Sequence, residues 1–162
     1  MHVDKRLQLQ IGLSGSISLK SNGILVLEKS NIIVDAGLEK LSNTLAYGSP
    51  IVSHIALGDG LADTSTDPPT IQDPSASDTE LVHEIIRKAV SATIMSNHAV
   101  RFSITLENNE GNGSGTVNYS EAGLFLSDGT MLSHVSFYPQ TKSSENQLIF
   151  EWDISFARQG GQ

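Results

Sequence analysis

Several side chains in this sequence are of types that do chemistry, and their spacing says which chemistry each could do. Asp59, Asp63 and Asp67 recur every four residues beside Gly60, and a hard cation such as Ca²⁺ takes several carboxylate oxygens at about 2.4 Å. An EF-hand places its ligands at alternate positions, which this spacing does not. The segment therefore reads as an acidic loop that holds no metal. His54, His83, His98 and His134 fall in four separate segments, with no pair at the i, i+4 spacing that aims two imidazoles at one ion. Gly12-Leu13-Ser14-Gly15 is not a Gly-x-Ser-x-Gly elbow, so no serine nucleophile is indicated. Glycoside hydrolysis needs two carboxylates roughly 5 to 10 Å apart across a cleft, and Glu107 with Glu110 or Glu151 with Asp153 could be paired on paper. Acids that alternate on the outer face of a strand are ordinarily solvated. The expectation is a protein with no catalytic residue and no cofactor.

Glu84, Arg87 and Glu121 stand apart because each adjoins an apolar segment, where a charge is costly unless paired. The planar fork of Arg87 suits a carboxylate, and the three are expected to form structural ion pairs. Tyr138 alternates away from Phe137 and is the aromatic best placed to meet a glycan or a subunit interface.

The elements that must position these residues are mostly strands. Leu148, Phe150, Trp152, Ile154 and Phe156 alternate with Ile149, Glu151, Asp153 and Ser155, a period of two that puts every aromatic on one, core-facing, side. The same alternation appears in Val100, Phe102, Ile104 and Leu106. Asp128-Gly129 between apolar runs predicts a two-residue type I′ hairpin, with Leu124 and Leu126 across from the strand Met131 to Phe137. Two inward-facing amphipathic faces imply an all-β fold, an antiparallel, jelly-roll-like β-sandwich. One covering helix is expected near 36–46, started by Asp35, stopped by Gly48, with Leu38, Leu41 and Leu45 as its apolar stripe. Leu81 to Arg87 reads as an extended entry to a strand Lys88 to Met95, followed by a tight Ser96-Asn97-His98 connection.

Before the helix, Leu7 to Leu13, Ser14-Gly15, Ile17 to Lys20, Asn22-Gly23 and Ile24 to Leu27 read as a small three-strand β-meander over 1–30. So small a unit must pack on the body or on another subunit. The expected organisation is thus an assembly segment, 1–30, and a β-sandwich domain, 31–158. Segments 61–80 and 108–116 are the long polar loops where binding residues would sit.

Composition narrows the function classes. The chain has 162 residues and no cysteine, which removes thiol catalysis, thiolate metal sites and disulfides together. A net charge of −8 opposes binding to a phosphate backbone, so no nucleic-acid partner is expected. No apolar run reaches the roughly 18 residues of a spanning helix, and Met1 to Arg6 lacks the apolar stretch of a signal peptide; membrane insertion is not expected.

Six motifs in order carry a family resemblance: Val34-Asp35-Ala36-Gly37-Leu38, Ile55-Ala56-Leu57-Gly58-Asp59-Gly60, Leu81-x-x-Glu84-x-x-Arg87, Glu121-Ala122-Gly123-Leu124-Phe125, Met131-Leu132 with Phe137 and Lys142 following, and Leu148 to Phe156 with its Trp152. Through them Asn31 to Phe156 resembles a group of small structural proteins from the tails of bacteriophages and phage-derived contractile particles, associated with tail fibres or baseplates. The resemblance implies a virion tail component made in the host cytoplasm. It implies a homo-oligomer, with a trimer favoured, joined to other phage tail or baseplate proteins and helping to engage the host surface. Two other readings remain beside it: a carbohydrate-binding module that recognises host surface glycan through loops 61–80 and 108–116, and a polysaccharide depolymerase. The sequence departs from the family pattern in loop 61–80 and before Asn31.

Overall fold

The computed structural model describes residues 10–96 and 98–159, and these form a sandwich of two five-stranded antiparallel sheets. The first sheet has the order β2 (Ile24–Ser30), β1 (Gln10–Ser21), β12 (Leu148–Gln159), β9 (Ala99–Leu106), β8 (Ser91–Ser96). The second has β3 (Ile32–Ile33), β11 (Met131–Lys142), β10 (Val117–Leu126), β4 (Val52–Gly58), β7 (Glu84–Ala89). The expected alternation holds through β9 and β12: Phe102, Ile104, Phe150, Trp152 and Ile154 point inward and are buried. They meet Leu57, Leu124 and Phe137 of the second sheet in one core, with the Phe137 and Phe150 ring centroids 6.4 Å apart. Phe156 shares their face but is 47% exposed, because it lies toward the end of β12, past the packed interior.

Four local expectations change. β1 does not turn at Ser14-Gly15; it runs straight and pairs residue for residue with β12, from Gln10↔Gln159 to Ser21↔Leu148. The small three-strand meander is therefore, over residues 10–30, one hairpin stitched to the body; the residues before Gln10, where its first strand was expected to begin, lie outside the described ones. Gly15 serves close approach instead of a turn, since a Cβ there would collide with the Asn31 side chain. The Asn22-Gly23 turn does form, with φ of 48° and 80°, the pair of positive values that a type I′ hairpin needs.

The Asp128-Gly129 hairpin has three loop residues, not two. Gly129 N–H donates to the Leu126 carbonyl (3.0 Å), Leu126 N–H to the Thr130 carbonyl (2.9 Å), and only Gly129 has positive φ, +88°. That is a type I turn closed by a left-handed glycine, and the Asp128 carboxylate stabilises it by accepting from Thr130 N–H at 3.0 Å.

The strand expected over Lys88 to Met95 is two strands in different sheets. β7 pairs with β4, the chain crosses at Val90, and β8 pairs with β9. Apolar alternation continues across the break, which is why the sequence reads as one strand. Asn97, in the connection that follows, lies outside the described residues.

Helix α1 (Asp35–Tyr47) covers the second sheet at β11, ending at Gly48 in the left-handed conformation. Asp35 is its first residue and makes no side-chain cap. Its closest approach is Gly37, where a Cβ would lie 2.6 Å from the Leu132 backbone. Contact through a glycine rolls the leucine stripe outward, so Leu41 packs on the core while Leu38 is half exposed and Leu45 is 90% exposed.

Asn31 ties the two sheets together. Only with its amide oxygen toward the Trp152 indole N–H, and its amide nitrogen 2.5 Å from the Gly15 carbonyl, are donors and acceptors matched; the Ser133 hydroxyl lies 2.5 Å from the same group. Removing this side chain strands a buried indole N–H, which costs about 1–3 kcal/mol. Asn31→Ala should lower the urea unfolding free energy by that amount with an unchanged m-value.

Candidate functional site

Five of the six family-like motifs meet at the second sheet, while Leu148 to Phe156 lies in the first. Ala56, Gly58 and Gly123 make the outer face of the second sheet nearly flat, and Ala56↔Gly123 and Gly58↔Glu121 are cross-strand partners. Flatness lets the chain between β4 and β7 lie directly on the sheet. That chain includes the short paired strands β5 (Ala62–Asp63) and β6 (Thr70–Ile71), which rest against β11. The segment read as a long loop over 61–80 thus has a small hairpin of its own.

Glu121 holds it down. Its carboxylate is fully buried and accepts from Gly60 N–H (3.1 Å), Val82 N–H (3.1 Å) and His83 N–H (2.8 Å). The fourth partner is the buried His134 ring, Nε2 to Oε2 at 3.0 Å, whose Nδ1 lies 2.8 Å from Asp78 Oδ2. Asp78 in turn accepts from Ser75 N–H at 2.8 Å. A chain of polar contacts therefore runs from β10 through β11 into the far end of the loop.

Geometry explains the Gly58-Asp59-Gly60 motif. A Cβ on either glycine would run into the Glu121 side chain, so the carboxylate fits only because both are bare. Burial alone would push the Glu121 carboxyl up, but the hydrogen bonds from His134, His83 and Val82 outweigh it and leave the group below its ordinary 4.5.

The other expected ion-pair residues lie at the edge of this face. Arg87 forks onto Glu84, Nε to Oε1 at 2.9 Å and Nη2 to Oε2 at 2.6 Å, and its guanidinium stacks 3.8 Å from the Phe125 ring centroid. Glu121 is not its partner. Beneath the arginine, Phe125 packs with Val34, Ala56, Leu81 and Met131 in a second apolar cluster. Tyr138 is 58% exposed on β11, and Tyr47 at the helix end is more so.

The remaining candidate acids are engaged elsewhere. Asp59 pairs with His83, raising that imidazole, and Asp63 accepts from Ser65 N–H at 2.9 Å. Glu151 bonds Lys20 (2.8 Å) and Arg101 (3.2 Å), and Asp153 bonds Arg101 (2.7 Å), a ladder across the outside of the first sheet. Such pairs contribute about 0.2–1 kcal/mol each. Glu110 takes Lys88 Nζ at 2.7 Å. Near it, Lys142 is fully buried and donates to the Asn108 (2.9 Å) and Ser143 (2.6 Å) carbonyls, closing one end of the sandwich. Tyr119, also buried, donates to the Gly111 carbonyl at 2.5 Å, and burial pushes its phenol up to about 12. No group of three or more His, Asp or Glu side chains among the described residues is arranged to hold a metal ion.

His134, Asp78 and Lys142 were not singled out as site residues in the sequence. One signal points to the cover over this face: small residues at 56 and 58 of β4 and at 60 just past it call for something packed close above.

Buried charge spent on holding a loop to a β-sandwich defines a structural module. The sequence model of the phage tail-collar fibre protein N-terminal family matches residues 28–152, and the chain belongs to that family. It is accordingly a structural component of a phage tail, associated with other tail proteins. Among curated proteins and among solved structures, nothing matches.

Two substitutions test the site. Glu121→Gln places an amide against hydrogen-bond donors and should cost about 3 kcal/mol at neutral pH. Because the folded carboxyl sits below its ordinary value, its stabilisation is complete above about 4.5 and disappears as pH falls through the lower folded value. The gap between wild type and variant, read by urea unfolding, should therefore close toward acid pH. Arg87→Ala removes a half-exposed pair and a ring contact, and should cost about 1 kcal/mol in the same assay.

Proposed function

We propose that this chain is a self-associating connector of a phage tail fibre or baseplate, joining neighbouring tail proteins and positioning the fibre for attachment to the host. The observation that carries this reading is how the polar and apolar side chains divide. Apart from Asp35, the acidic and basic groups of the family-like motifs are turned inward or paired, while Ile24, Leu25, Leu45, Tyr47 and Ile94 are exposed on strands and helix. Exposed apolar side chains spread over regular elements suit protein contacts better than a cleft for chemistry. Residues 10–30, at one edge of the first sheet, are part of that contact surface. Light scattering of the purified protein should give a mass of more than one chain, and gold labelling of the parent particle should place it at the fibre or baseplate. A strict monomer that binds no tail component contradicts the proposal.

A second reading rests on one opening. Loops 61–80 and 108–116 flank the same polar pocket of about 320 Å³, lined by Asp59, Thr64, Thr116, Asn118 and Ser120, with Pro139 beside Tyr138. Hydroxyl and amide groups above an apolar floor of Val117 and Ile85 suit a sugar ring. A glycan array whose hits vanish in Asn118→Ala supports host glycan recognition; an array with no hits removes it.

A further inference from the structure

The first sheet outruns the rest of the sandwich at one end. β9 leaves β12 at Ala99↔Ser155 and β2 leaves β1 at Ser30↔Ser16, so from there to Gln10↔Gln159 the ladder consists of β1 and β12 alone. Two strands by themselves are marginally stable in water. Along the side of this arm that faces the core, the stripe of buried Ile17 and Trp152 continues through the cross-strand pairs Gly15↔Ile154, Leu13↔Phe156 and Ile11↔Arg158. In the body the second sheet covers that stripe. Under the arm its place is taken by two openings, one of about 520 Å³ between Ile11, Leu13 and Leu38 of α1, the other of about 770 Å³ beside Ile11, Phe156 and His98.

Apolar surface collects at this end, because α1 links the end of β3 to the start of β4 and both lie here. Ile11 and Phe156 on the arm, Leu38, Leu45 and Tyr47 on α1, and Ile51 just after it are between 47% and 90% exposed. Their summed exposure is on the order of the roughly 800 Å² per partner that a stable complex buries. Charge is sparse here and of both signs. Arg158 is the one charged residue of the arm, Asp35 and Glu39 lie exposed at the start of α1, and none of the three enters a salt bridge among the described residues.

We propose that the missing layer is the arm of a second copy of this chain, the two arms packing face to face and antiparallel about a two-fold axis that passes beside Leu13 and Phe156. This rests on the self-association proposed above and names its contact. Sheet faces pack about 10 Å apart with their side chains interleaved, and the arm of a copy has the length and the apolar pattern of the layer that the second sheet does not supply. The antiparallel arrangement keeps the two Arg158 guanidinium groups apart. It carries each toward α1 of the other protomer, where Asp35 and Glu39 are of opposite sign. A two-fold contact closes on itself, which leaves the rest of the surface to other tail proteins.

The chain has no cysteine, so a single introduced thiol reports its contacts without background. Phe156→Cys treated with a short bis-maleimide should give a covalent dimer, whereas Ile24→Cys, at the opposite end of the sheet, should give none. In light scattering the wild type should weigh two chains and Ile11→Asp one, with circular dichroism retaining the β signature. Arg158→Glu, an exposed change, should raise the dimer Kd roughly tenfold, and Glu39→Lys in the same chain should restore it. A wild-type oligomer that Phe156→Cys leaves unlinked, one of three chains, or an Arg158→Glu variant of unchanged Kd overturns the arm contact and leaves self-association standing. A wild-type monomer overturns both.

Discussion

Burying the Glu121 carboxylate is the constraint on which much of this structure depends. An ionised acid inside a protein is tolerated only when every lone pair is met, and here Gly60, Val82, His83 and His134 meet them. Each requirement propagates outward. The donors at 60 and 82–83 must return to the same point, which closes the intervening chain into a compact cover. The acceptor needs room, which keeps positions 58 and 60 as glycine. The Nδ1 of His134 needs a polar partner in turn, and it meets Asp78. Motifs that are far apart in sequence are therefore one object in space.

Much of the sandwich was legible because its strands follow period-two patterning. β9 and β12 stand where alternation put them, β10 and β11 where the Asp128-Gly129 hairpin did, and Trp152 and Phe150 are fully buried as expected. The misreadings have specific physical causes. A turn was read at Ser14-Gly15 because glycine signals turns, whereas Gly15 is needed to clear the Asn31 side chain. The helix was assigned the wrong face because leucines at three- and four-residue spacing outweigh a single glycine in any periodicity count, yet Gly37 governs how near the helix comes to Leu132. The sheet change at Val90 was hidden because Val90, Ala92 and Ile94 alternate with Ala89, Ser91 and Thr93 straight across it.

The candidate site was legible in part. Glu84, Arg87 and Glu121 were recognised as charges beside apolar segments, but pairing depends on which strands are neighbours. Glu84 and Arg87 sit on one strand and bond each other, and Glu121 reaches β11. His134 lies in a strand of mixed apolar and serine residues, and nothing local in the sequence shows that its strand faces a covered surface. Family membership and geometry agree on a structural role, and the geometry adds where the apolar surface goes: the edges of the first sheet and the outward side of the helix.

The central claim is that the Glu121 cage fixes the 59–83 segment to the sheet as firmly as the sheet holds itself. Native-state hydrogen exchange of the Gly60, Val82 and His83 amides tests it directly. The structure predicts that these amides exchange as slowly as the Ala122 and Gly123 amides of β10, by global unfolding. Exchange at the rate of the exposed tip around Ser65 and Thr66 would mean that the segment opens independently, and would contradict it.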